Sequence, residues 1–161
     1  MAIVYTMTPG KKSGLKLTYE DYVLLPDDGK IHEIIDGDHY MTPAPETYHQ
    51  TVSRKIQFQL YEQIEEEGLG FVFDAPTDVQ LSETDIVQPD ILVILAERKS
   101  IISPKKVIGP PDLIIEILSE HTSQKDMTLK YHLYQKTSVP EYWIVDPVAQ
   151  SVRMFVMQNE R

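Results

Sequence analysis

The chain has 161 residues, 42% hydrophobic and 25% charged, the balance of one folded domain with a buried core rather than a disordered or fibrous protein. It lacks cysteine, which excludes disulfides, thiolate metal sites and cysteine nucleophiles, and fits a reducing compartment. Its net charge of −10 argues against broad, non-specific binding of polyanions, although a local basic groove or bound cations can reverse the sign at one site.

Residues 1–14 read as an N-terminal arm, and residues 15–161 as one domain. In the arm a short apolar run precedes the lysines, the wrong order for a secretory signal. No apolar stretch approaches the ~20 residues of a membrane helix, so a cytoplasmic protein is expected. Thr18 is placed to cap a short helix over Tyr19–Leu25, with Glu20 and Asp21 in its first turn. Strands are expected at Ile31–Ile35 and His39–Thr42, joined by the hairpin signal Asp36-Gly37. Thr47 can cap a long helix over Tyr48–Glu67, in which Val52, Ile56, Leu60 and Ile64 form an apolar stripe. Strands follow at Gly70–Asp74 and Thr77–Leu81. The nearly continuous apolar runs Asp90–Leu95 and Leu113–Leu118 suit strands buried on both faces of a sheet. A helix capped by Thr122 or Ser123 runs to about Lys136, before strands Pro140–Val145 and Ser151–Met157. A helix between two buried strands implies a parallel crossover. The predicted architecture is α/β, a mixed sheet with helices on both faces.

Two carboxylates occupy places where apolar residues are expected. Asp90 opens one buried run, and Glu116 lies inside the other, on the strand face of Ile114 and Leu118. A bare buried carboxylate costs several kcal/mol, so a cation, a proton or an ion pair must offset it. Two carboxylates on neighbouring strands plus a backbone carbonyl make an oxygen cage suited to Mg²⁺. The alternative is that Asp90 ends its strand in a turn and Glu116 faces solvent. Lys130 sits at the margin of the stripe Asp126, Leu129, Lys130, Leu133, Tyr134, on the helix that follows Glu116. There it can serve the site or simply pair with Asp126 on the surface. Glu33, in the apolar strand before Asp36-Gly37, is a further acidic candidate or a solvent-facing strand residue. His49 is an extra site residue or a helix-end surface group. Lys105 and Lys106, with Arg98 and Lys99, form the one basic concentration and could approach a phosphate backbone. Tyr142 and Trp143 read as core. There is no glycine-rich phosphate loop, zinc-binding HExxH helix or GxSxG elbow.

Pro89-Asp90 followed by Glu116-Ile117-Leu118 resembles the PD-(D/E)-x-K pattern of restriction-endonuclease-like folds, with Leu118 standing where the lysine usually stands. Some branches of that superfamily carry the lysine on the following helix, which points to Lys130. From about Leu17 onwards the chain resembles the Uma-two family. The resemblance rests on Leu17–Tyr22, Glu33–Gly37, Gln88-Pro89-Asp90, Pro111–Ser119, Asp126 with Lys130 and Tyr134, and Val139–Pro147. It implies a restriction-endonuclease-like mixed β-sheet flanked by helices. It also implies a Mg²⁺- or Mn²⁺-dependent nuclease acting on nucleic acid, expected to be DNA. Asp90, Glu116 and the Ile117 carbonyl would hold the metal, Lys130 would orient water or stabilise the phosphate, and Glu33 would add a ligand or take up a proton. The alternative is a non-catalytic binding or assembly module that keeps the fold. The apolar last strand, with Val152, Phe155 and Val156, leads to the expectation of a homodimer.

Overall fold

The computed structural model describes residues 14–119 and 124–157, with the backbone alone at 124–126. The arm before Gly14, the caps Thr122 and Ser123, and the Asp126 side chain lie outside the described residues.

Gln88-Pro89-Asp90 carries the chain from one five-stranded sheet into another. The first sheet has the order β2–β1–β5–β4–β7, built from β1 (Ile31–Ile35), β2 (Asp38–Thr42), β4 (Val79–Ser82), β5 (Asp85–Val87) and β7 (Val107–Ile108). The second has the order β10–β9–β8–β6–β3, from β3 (Gly70–Asp74), β6 (Ile91–Leu95), β8 (Leu113–Ile117), β9 (Glu141–Asp146) and β10 (Ser151–Val156). The helices are α1 (Tyr19–Tyr22), α2 (Thr47–Leu60, continued by a π turn at Tyr61–Glu65) and α3 (Gln124–Lys136), with a 3₁₀ segment at Ala96–Ile101.

Two sheets thus stand where one was expected. The short strands β5 and β7 complete the first sheet, and they are too brief to carry a hydrophobic period. The expected crossover is present: β8 and β9 pair in parallel, with α3 between them in sequence. Asp36 (φ 50°) and Gly37 (φ 78°) both adopt the positive φ that a tight two-residue hairpin requires. Gly37 is also needed for space, because a Cβ there would lie 2.5 Å from the Lys16 Cβ. That close approach lets the Leu17 N–H reach the Gly37 carbonyl at 3.0 Å and seats the start of the domain on the hairpin.

The main core lies between the sheets. Ile35, Val79 and Val87 meet Leu92, Ile94 and Ile114 there, with Met127, Leu133 and Tyr134 of α3. On its other face the second sheet presents Ile91, Val93, Leu113 and Ile115 to the expected α2 stripe, Val52, Ile56, Leu60 and Ile64. Strands β6 and β8 are therefore covered on both sides, which explains their unbroken apolar character. Truncating a residue such as Ile114 to alanine would cost about 2–5 kcal/mol. Among the described residues no helix is long and apolar enough to cross a membrane.

Candidate functional site

Pro89 has no N–H to donate, so the ladder breaks between β5 and β6 and the chain can change sheets. Asp90 follows immediately. The β6–β8 register pairs Ile91 with Ile115, so Asp90, just before β6, and Glu116, the next residue of β8, come to the same end of the strand pair. Glu116 alternates with Ile115 and so shares the side of Ile114, which looks into the layer between the sheets. Glu33 reaches the same layer from β1, on the side of Ile35. Asp90, Glu116, Glu33, Lys130, His49 and Ile117 all line one cleft of about 100 Å³.

Lys130 brings α3 into this cleft. Its Nζ donates to Glu116 Oε1 at 2.8 Å and to Glu33 Oε1 at 3.0 Å. Tyr134, one helical turn on, donates its hydroxyl to the same Glu116 oxygen at 2.7 Å. Glu33 Oε1 also accepts the Gln88 backbone N–H at 2.9 Å. Asp90 Oδ2 accepts the Ile117 N–H at 2.7 Å and lies 3.1 Å from His49 Nε2. Among the described residues these bonds fall on Oδ2 of Asp90 and Oε1 of Glu116, which leaves Oδ1 and Oε2 as the oxygens a cation could take.

Among the described residues Glu33, Glu46, Asp90 and Glu116 line the cleft together with Lys130. Burial pushes the Glu116 carboxyl up to about 7, partly opposed by Lys130 and reinforced by Asp90 and Glu33. Burial pulls the Lys130 ammonium down, but Glu116 and Glu33 outweigh it and the net shift is upward, so the lysine stays charged. Burial holds the Tyr134 phenol far above its ordinary value, which keeps it a donor. The hydrogen bond to Asp90 raises His49 against the effect of its burial, and the Ile117 backbone adds a smaller pull.

Among the described residues no three or more His, Asp or Glu side chains are grouped so as to hold a metal by themselves. The donors that the cleft could offer a cation are the carboxylates of Asp90 and Glu116, with the Ile117 carbonyl as the expected third. These are hard oxygens, which suit Mg²⁺ or Mn²⁺ rather than a soft ion.

The ammonium of Lys130 is held between Glu116 and Glu33, with 16% of the side chain exposed. The basic residues concentrated in sequence are dispersed by the fold. Arg98 binds Asp112 Oδ1 at 2.8 Å, at the end of β8 opposite Glu116, Lys99 lies over Phe71, and Lys106 lies over the Tyr19 ring; none lines the cleft. Tyr142 is core, stacked edge-on against Tyr134 at 4.9 Å. Tyr134 was visible in the α3 stripe, but its bond to Glu116 was not. His49 is a site neighbour rather than a surface group. Its spacing to Val52 and Ile56, i+3 and i+7, is the signal that it shares their inward face.

A protein-family model, Uma2, described as "Putative restriction endonuclease", matches residues 19–161. The chain belongs to the Uma2 family. The match spans nearly all of the region that resembled it in sequence. A solved structure described as "a putative nuclease belonging to DUF820", from Anabaena variabilis, has a TM-score of 0.76 and 23% identity, covering 89% of this chain and 82% of that one. At that identity the likeness speaks to the fold, and it agrees with a restriction-endonuclease-like α/β architecture for this Uma2 protein. Comparison with curated proteins gives no match.

Proposed function

We propose that this Uma2 protein is a Mg²⁺- or Mn²⁺-dependent nuclease that hydrolyses phosphodiester bonds of DNA. The observation that carries the reading is the meeting of Asp90, Glu116 and Lys130 in one cleft, on the pattern of a PD-(D/E)-x-K site whose lysine comes from the following helix. Family membership supports it. Asp90 Oδ1, Glu116 Oε2 and the Ile117 carbonyl would hold the cation. A bound divalent ion supplies Lewis-acid chemistry, a water of lowered pKa and neutralised phosphate charge.

The chain's own residues complete the reaction scheme. Lys130, fixed by two carboxylates, orients the attacking water or donates to a phosphate oxygen as charge develops there. Glu33 is engaged by Lys130 and Gln88, which favours a role in holding the lysine or taking up a proton over direct ligation. The carboxylates of Asp90 and Glu116 would repel a phosphate, and a bound cation would reverse the sign there.

One observation favours a non-catalytic binding or assembly module instead: the ammonium of Lys130 is already neutralised on two sides. Nicking of supercoiled plasmid, and cleavage of an RNA of matched length, in Mn²⁺ and in EDTA separates the two readings. The nuclease reading requires Mn²⁺-dependent cleavage that Asp90→Asn abolishes. No cleavage of either substrate by the wild-type chain would leave the binding module. As its assembly we propose a homodimer through the edge strand β10.

A further inference from the structure

His49 stands in the first turn of α2, 41 residues from Asp90 in sequence, with 10% of its side chain exposed. Its Nε2 meets Asp90 Oδ2 at 3.1 Å. A carboxylate only accepts, so Nε2 carries the proton of this bond and has no lone pair left for a metal. The same oxygen takes the Ile117 N–H at 2.7 Å. Two donors from different elements, α2 and β8, therefore converge on Oδ2. One donor alone would let the carboxylate rotate and exchange its oxygens, whereas two fix its plane and direct Oδ1 away from them.

The other ring nitrogen is equally informative. Nδ1 is buried and has no hydrogen-bond partner among the described residues. Among the described residues the bond to Asp90 is the one side-chain hydrogen bond that His49 makes. Here the hydrogen bond that His49 makes is directed at a candidate metal ligand.

Resting on the metal-dependent reading above, we infer that His49 is a positioning residue, which pins Asp90 Oδ2 and so presents Oδ1 to the cation in a fixed direction. It neither ligates nor touches the scissile phosphate. Groups that orient ligating carboxylates typically contribute about 10–100-fold in metal affinity.

The test is a calorimetric Mn²⁺ titration of the full chain as wild type, His49→Phe and His49→Gln, with thermal melts of each in EDTA. His49→Phe keeps a buried ring and removes the donor, and its Mn²⁺ affinity should fall about 10–100-fold. His49→Gln can place an amide N–H where Nε2 stood and should stay within about threefold of wild type. Melting temperatures in EDTA should not follow this order. Equal Mn²⁺ affinity in wild type and His49→Phe would overturn the inference while leaving the metal site intact. So would an equal loss in both variants, which would make the imidazole's shape, not its donor, the relevant property. A wild-type chain that binds no Mn²⁺ would overturn the metal-dependent reading itself, and this inference with it.

Discussion

Lys130 Nζ lies 2.8 Å from Glu116 Oε1, across 14 residues and the passage from a strand into a helix. The lysine also holds Glu33, so it is the counter-charge for two buried carboxylates at once. Lys130→Met should therefore destabilise the metal-free protein by about 3–5 kcal/mol at pH 8, the range for removing one partner from a buried ionic cluster. Urea denaturation measures it. A loss below about 0.5 kcal/mol is what a surface pair would give, and would contradict the buried role.

Glu116 makes the metal-free protein sensitive to pH. Its carboxyl titrates near 4.5 in the unfolded chain and, through burial, at about 7 in the fold. Between those values the fold keeps a proton that the unfolded chain has lost. The support from Glu116 is thus complete below about 4.5 and disappears as pH rises through about 7, a contribution of about 3 kcal/mol. In EDTA the melting temperature should fall between pH 5.5 and pH 8, and Glu116→Gln should flatten that slope. Added Mn²⁺ should restore stability at pH 8, since it favours the ionised carboxylate. An identical pH slope in wild type and Glu116→Gln would remove Glu116 as its cause.

Asp90→Asn should separate the fold from the site. The asparagine carbonyl can still accept the Ile117 N–H, so the melting temperature in EDTA should change little. Mn²⁺ affinity should drop by a factor of order 100, because a neutral amide replaces one of two anionic ligands. Calorimetric titration reads this directly, and unchanged affinity would move the cation away from Asp90.

The homodimer expectation can now be placed on particular residues. Phe155 packs against the main core, so it is not free for an interface, whereas Val152, Met154 and Val156 are exposed on the outward side of β10. Among the described residues that strand is a sheet edge, paired on one side only, by β9. Sedimentation should show a dimer at micromolar concentration, and Met154→Glu should shift it towards monomer. A wild-type monomer over the whole concentration range would reject this assembly.

Much of this could be read before the fold was seen, for identifiable reasons. Two unbroken apolar runs marked β6 and β8, and a carboxylate in each was conspicuous because nothing apolar could satisfy it. Asp36-Gly37 marked the hairpin because few other pairs tolerate two positive φ angles. The division into two sheets was not legible. Asp85–Val87 is a strand by virtue of its partners, the neighbouring β4 on one side and, on the other, Ile34 of β1, which lies far away in sequence. Nor were the roles of His49 and Tyr134. A histidine or tyrosine at core spacing looks the same in sequence whether it fills space or bonds a carboxylate. The basic residues of the loop misled in the opposite direction, since chain proximity became spatial dispersion.

In the proposed reaction Lys130 acts with a metal held by Asp90 and Glu116. The most direct test is the plasmid-nicking rate of Lys130→Ala at saturating Mn²⁺, with Mn²⁺ affinity measured on the same sample. Lysine is not a ligand here, so affinity should be unchanged or tighter, while cleavage should fall by a factor of order 100 or more, the effect of losing one transition-state contact of ~3 kcal/mol. Lys130→Arg should recover only part of the rate, because a planar fork does not reproduce a compact ammonium. Wild-type cleavage by Lys130→Ala would contradict the account and leave the lysine a structural counter-ion.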